Sequence, residues 1–266
     1  MIETLVEKAL RRDRLITASA IGVIALLAWT YIILLSRQMN ASMSEVNDMA
    51  AMGMAMPEPA WDVSRFVLTF LMWAVMMMAM MLPSAAPFIL LYARVGRSAA
   101  ADGVVFAPTF WFAAGYVLAW AGFSAMATLA QFALSQAALI TPMAVLSSRW
   151  VGAGVLFAAG VYQWTPLKDA CLTRCRTPLS FIQSHGGFKG EAVASVRIGL
   201  LHGLYCIGCC WMLMALLFVG GVMNLLWIAA LAILVLLEKV LPAGVWVARA
   251  AGVTFVAAAV WLLLAH

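Results

Sequence analysis

Apolar residues in this chain gather into long blocks and do not alternate. Leu15 to Leu35, Phe66 to Tyr92 and Phe106 to about Leu134 each supply the roughly 20 residues that a helix needs to cross a bilayer. A fourth block begins at Thr141-Pro142, read as a cap and first helical residue, and runs to Gln163. A fifth runs from about Val196 to Val219, where Gly220-Gly221 predicts a tight turn. The sixth, Met223 to Leu237, is short, and the seventh fills Ala243 to Ala265 after the Pro242-Ala243-Gly244 break. The pattern predicts an all-α fold, a polytopic transmembrane helix bundle of about seven spans. Three regions follow: an N-terminal anchor helix (1–37), a Met-rich acidic outer loop (38–65) and a six-span membrane domain (66–266).

Composition removes the alternatives. Of 266 residues, 66% are hydrophobic and 10% charged, with a mean hydropathy of +1.02, a balance foreign to soluble domains and to disordered chains. Five cysteines in so long a chain do not fit a disulfide-stapled secreted domain. Basic residues precede the first block, but that block is too long for a signal-peptide core and no small-x-small site follows it, so it reads as a retained anchor.

Charge then orients the chain. With the N-terminus inside, the inner segments hold Lys8, Arg11, Arg12, Arg14, Arg94, Arg97, Lys168, Arg174, Arg176, Lys189, Arg197, Lys239 and Arg249, and the outer side keeps Arg37, Arg65 and Arg149. That asymmetry is the positive-inside pattern, and it places His266 outside. The net charge of +5 is therefore a topology signal, and nucleic acid is not an expected partner.

Sulfur carries the chemistry. The outer loop holds Met39, Met43, Met49, Met52, Met54 and Met56 among Glu45, Asp48, Glu58 and Asp62. Thioethers are soft neutral ligands that favour Cu(I), so such a loop can collect copper; the structural alternative is a linker whose methionines dip into the interface. In the second block Met72, Met76 and Met80 recur at four-residue steps, with Met77 and Met81 in a neighbouring row, so the five share one broad helix side. Pro83 and Pro87 follow and can free carbonyls or kink the span. Met also fills apolar gaps, and that packing role competes with the metal reading here.

His202, Cys206, Cys209 and Cys210, in HGLYCIGCCW, fall on one helical stripe of imidazole and thiol donors suited to Cu(I) or zinc. Packing of small buried thiols is the competing explanation. The inner loop before that span holds Cys171 and Cys175, whose spacing brings both sulfurs to one side if the segment is helical. Lys168, Arg174 and Arg176 are expected to favour their thiolates, and cytoplasmic thiols stay reduced. His185 is a weaker third candidate. Glu238 beside Lys239 reads as an interface ion pair. The sequence has no GxSxG, Walker, HExxH, GxGxxG or C-x-x-C-H pattern, so no catalytic residue or enzyme activity is assigned.

Three blocks together, WAVMMMAMMLPSAAP (73–87), GVYQWTPLKDACLTRCRTP (160–178) and the run from Gly203 to Pro242 that opens GLYCIGCCW, resemble the predicted metal-binding integral membrane proteins grouped as domain of unknown function 2182. The resemblance covers about Phe66 to the C-terminus. It implies a multi-pass protein of the bacterial inner membrane with a role in metal handling, copper foremost. The leading expectation is a protein that relays or imports Cu(I) inward, from outer thioethers through span two and span five to Cys171 and Cys175. One alternative is a non-transporting assembly factor that serves an oxidase or meets a copper chaperone. Another is a membrane thiol oxidoreductase using Cys209-Cys210 and Cys171/Cys175 with a quinone.

Overall fold

The computed structural model describes residues 2–52, 60–101, 109–185 and 191–265. These form α1 (Ile2–Ala51), α2 (Val63–Ala101), α3 (Thr109–Gln136), α4 (Arg149–Tyr162), α5 (Pro166–Arg176), α6 (Pro178–Ser184), α7 (Ala192–Ala215), α8 (Leu217–Gly220), α9 (Leu225–Val240) and α10 (Gly244–Leu264). Among the described residues there is no strand, and a single isolated bridge joins Ile140 to Leu146. Met54, Met56, Glu58, Lys189 and His266 lie outside the described residues.

Among the described residues, five helical segments are long and apolar enough to cross a membrane: Leu15–Val46, Val63–Gly96, Thr109–Gln136, Ala192–Gly220 and Gly244–Leu264. Burial separates them. In Val63–Gly96 and Ala192–Gly220, 44% of the most apolar stretch is buried, against 22% in the first and last segments. Helices α2 and α7 are therefore central, and α1 and α10 flank them with Leu26, Leu27, Trp246 and Trp261 exposed, as lipid-facing side chains are.

The expected fourth and sixth spans do not qualify. Helix α4 has 14 residues and α9 has 16, about 21 and 24 Å at about 1.5 Å per residue, short of the roughly 30 Å hydrocarbon core. Pro142 does not start a helix. The Thr141 amide bonds to the Val145 carbonyl, Ala144 takes a φ of 53°, and this turn delays the helix to Arg149. The supposed outer loop also changes, because α1 continues as helix to Ala51. Its residues 38–51 hold three Met and three Ala and contain no proline, so nothing in them breaks the helix. Met39 packs on the core and Met52 is exposed. The tight turn at Gly220-Gly221 is present, with Gly221 at a φ of 96°, and the Asn224 side chain caps α9 by accepting from the Trp227 amide.

Helices α3 and α7 meet backbone to backbone. A Cβ on Gly199 would lie 2.0 Å from the Phe112 carbonyl oxygen, one on Gly115 2.1 Å from that of Val196, and one on Gly203 2.5 Å from the Ala119 methyl. This is small-residue packing of the kind that joins helices in lipid, where burying apolar surface gives little drive. Since Phe112 lies by Gly199 and Ala119 by Gly203, the two helices run in the same direction. Helix α2 runs opposite to α7, with Trp73 against Phe218 and Phe88 against His202.

Parallel α3 and α7 require the intervening chain to travel back along the bundle. It begins beside the far end of α7, where the Leu146 amide donates to the Phe218 carbonyl. Tyr162, at the end of α4, donates its hydroxyl to the Gly208 carbonyl, and in α6 Phe181 packs on Tyr205 and His202. The segment expected as an inner loop is thus a pair of helices lodged beside the middle of α7. Thr165 caps α5 by accepting from the Lys168 amide, and Pro166 and Pro178 open α5 and α6, positions where the missing N–H costs nothing.

Lodging a polar helix there requires charge compensation. Lys168 donates to Glu238 at 2.7 Å, with both side chains at 0% and 1% exposure. The expected interface pair of Glu238 with its neighbour Lys239 is therefore replaced by a buried pair between α5 and α9. Arg176 donates to the carbonyls of Leu241 and Pro242, which fastens the other end of α5 to the chain beyond α9.

Two stability predictions follow from this packing. Gly199→Ala should destabilise the detergent-solubilised protein by about 1–3 kcal/mol or more, because the α3 backbone must retreat. Gly122→Ala, whose methyl would meet nothing within 4 Å, should leave the thermal midpoint unchanged or raised. Lys168→Met or Glu238→Met alone should each cost about 3–5 kcal/mol by stranding a buried charge, whereas the double variant recovers most of the loss. Thermal unfolding of the five variants checks both.

Candidate metal centre

Five of the six methionines of α2 are buried in the core, Met72 at 9% exposure and Met76, Met77, Met80 and Met81 at 0 or 1%, while Met78 is partly buried. The five lie along the stretch from Phe218 of α8, beside Trp73, to Cys210 of α7, beside Met81. Pro83 leaves the Ala79 carbonyl without its helical donor, and the Trp29 indole of α1 supplies one at 3.2 Å. The prolines thus exchange a helix bond for a tether to α1.

The row ends on sulfur. Met81 Sδ stands 3.9 Å from Cys210 Sγ. Two sulfurs bound at about 2.3 Å to one ion stand about 3.8–4.0 Å apart, so this pair is already at bridging separation. Cys206, Cys209 and Cys210 are each at 0 or 1% exposure. The Cys209 and Cys210 thiols both donate to the Cys206 carbonyl, at 3.1 and 3.0 Å. The Cys206 sulfur in turn accepts from Lys239 Nζ at 2.8 Å and lies 3.3 Å from the Tyr116 hydroxyl. Tyr116 also reaches the Met81 carbonyl, and Lys239 also donates to Ser84 Oγ at 3.2 Å.

Cys171 and Cys175 join this cluster and form no separate inner station. Cys171 Sγ lies so close to α7 that a Cβ on Gly208 would come within 2.9 Å of it, and the absence of that Cβ lets α5 dock. Cys175 interacts with the thiols of Cys206 and Cys209. The expected basic activation does not occur. Lys168 is committed to Glu238, and Arg176 to backbone carbonyls. All five cysteines are free thiols.

His202 lies one turn from Cys206 but sits in an aromatic box. Its ring centroid is 3.9 Å from Phe88, 5.7 Å from Tyr116 and 5.8 Å from Phe181, and its Nδ1 has no hydrogen-bond partner. A buried imidazole nitrogen without a partner is an unusual expense in a packed core. His185 is held away from the sulfurs by the Phe181 carbonyl and Ser184.

Among the described residues no three His, Cys, Asp or Glu side chains form a ready metal-ligand group. Each α7 thiol is engaged with a protein partner, Cys209 and Cys210 with the Cys206 carbonyl and Cys206 with Lys239. The donor chemistry nevertheless suits a soft cation, with thiols and a thioether in contact, a spare imidazole nitrogen nearby and no carboxylate among the sulfurs. Tyr116 and Ser84 are absent from the sequence reading, and Lys239 figures there only as an inner charge and as the neighbour of Glu238. A phenol within a span needs a polar partner, and that requirement was the one available signal for Tyr116.

No curated protein and no solved structure gives a significant match to the chain. The model of the PpoB2 family, described as a copper chaperone, matches residues 70–262, a stretch that holds the methionine row and every cysteine, and the chain belongs to that family.

Proposed function

We propose that the protein is a membrane copper chaperone of the bacterial inner membrane that takes Cu(I) as cargo along the α2 methionines and holds it at Met81, Cys206, Cys209 and Cys210. The observation that carries this reading is the 3.9 Å approach of Met81 to Cys210, which joins a row of neutral thioethers to a group of thiols. Affinity for Cu(I) rises from thioether to thiolate, so an ion moves down this series without ATP. Loading requires the Cys209 and Cys210 thiols to leave the Cys206 carbonyl and lose protons to solvent or to a partner.

Holding is favoured over passage because Cys171 and Cys175, the sulfurs available as an exit, converge on the same cluster. Inward import is the second reading, and His202, lying beyond the cysteines on α7 with a spare nitrogen, is the group that favours it. In either case the proposed path through the bilayer has seven passes from an inner N-terminus. The return after α3 is made by α4 with α5 and α6, and the return after α7 by α9.

The purified, reduced protein should take Cu(I) from a chromogenic chelator, and a Cys206/Cys209/Cys210→Ser triple variant should not. Met81→Leu should weaken retention by about tenfold with folding intact. A parent protein no better than the triple variant would end the copper reading. Copper accumulation in cells separates the two modes: holding predicts no dependence of cytoplasmic copper on His202, while import predicts a fall in His202→Phe at matched expression.

A further inference from the structure

Among the described residues, Lys239 is the cation that touches the candidate ligands. It comes from α9, next to Glu238, but Glu238 turns to Lys168. Among the described residues Lys239 has no carboxylate partner and instead donates to Cys206 Sγ at 2.8 Å and Ser84 Oγ at 3.2 Å. Cys209, Cys210 and Tyr116 lie within electrostatic reach of the same ammonium. A fixed positive charge against a ligand sulfur repels any arriving metal, and the repulsion scales with the charge of the ion. The same ammonium also takes up one side of Cys206. Zinc needs four donors in a tetrahedron, whereas Cu(I) is satisfied by two or three sulfurs.

We infer that Lys239 is a specificity residue of the thiol cluster, a built-in cation that admits soft monovalent ions and penalises divalent ones. The inference rests on the proposed copper reading and adds to it the exclusion of zinc. Cargo of one positive charge shares the sulfurs with the ammonium, and two thiolates then balance the ion and Lys239 together. A divalent ion in the same place faces twice the repulsion, at a sulfur already shared with the ammonium. The arrangement gives a reason for a charged side chain among apolar helices, where no carboxylate holds it.

The full-length protein in detergent, reduced and under anaerobic conditions, supplies the test. Cu(I) and Ag(I) affinities are read by chelator competition and Zn(II) by a zinc indicator, for the parent, Lys239→Met, Lys239→Gln and Lys239→Arg. The expected result is a Zn(II)-to-Cu(I) affinity ratio raised at least about tenfold in both neutral variants and near the parent value in Lys239→Arg. A ratio unchanged in the neutral variants, with both metals rising or falling together, overturns the inference while the copper reading stands. A ratio that rises equally in Lys239→Arg overturns it also, since packing rather than charge would then be responsible. If the parent binds neither Cu(I) nor Ag(I) above the triple Cys→Ser control, the copper reading fails first and the inference falls with it.

Discussion

The contact of α3 with α7 sets the terms for the rest of the molecule. Gly199 and Gly203 on one side, with Gly115 and Ala119 on the other, let two backbones approach until a single added methyl would collide with a carbonyl oxygen. Helices this close cannot rotate about their axes without losing the fit, so the side of α7 that carries Cys206, Cys209 and Cys210 has a fixed aim. The aim is toward α2, where Met81 waits, and toward Tyr116 on α3 itself. Because the seam is parallel, it also obliges the chain between α3 and α7 to return through the bundle. That return brings α5 and its two cysteines to the cluster.

A packed apolar interior tolerates the return only if its polar groups are met. Lys168 meets Glu238, Tyr162 meets the Gly208 carbonyl, and Arg176 meets two carbonyls at the end of α9. Each of these bonds joins the broken return to α7 or α9. The ion pair has a second effect, since it removes Glu238 from the reach of its neighbour and leaves Lys239 facing sulfur. One carboxylate placed elsewhere would have neutralised Lys239 instead, and the thiols would then face a neutral environment.

Much of this was legible in the chain. The five long spans follow from block length and hydropathy, and the inward face of the methionine row follows from its four-residue step. The stripe of Cys206, Cys209 and Cys210 follows from helical pitch. Other features were hidden for physical reasons. Residues 141–148 are apolar enough to extend a span, and only the turn around Pro142 and Ala144 shows that they do not. Helix α5 is polar by composition and was placed in a loop because composition does not reveal a partner; Lys168 is acceptable in the interior only because Glu238, 70 residues later, lies across from it. The seam was readable in principle, since GLLHG repeats small residues four apart, but the adjacent histidine and cysteines draw attention to chemistry in the same run.

The sulfur groups were read as four stations in series, and the structure leaves fewer. The outer methionines up to Met52 lie on or at the end of a helix, the α2 row is continuous with the α7 thiols, and Cys171 and Cys175 have moved into that second group. A conductor needs binding sites on both sides that are individually weak enough to release. A reservoir needs one deep site with a graded approach, and the arrangement here has a graded approach on one side and an aromatic box around His202 on the other. Membership in a copper chaperone family fits the reservoir, because a chaperone's task is to keep a reactive ion out of water until a recipient with better ligands arrives. The thiols as found are turned onto Cys206 O, Tyr116 and Lys239. These partners satisfy the buried thiols from within the fold, so the packing of α7 against α3, α2 and α9 is complete on the protein's own hydrogen bonds.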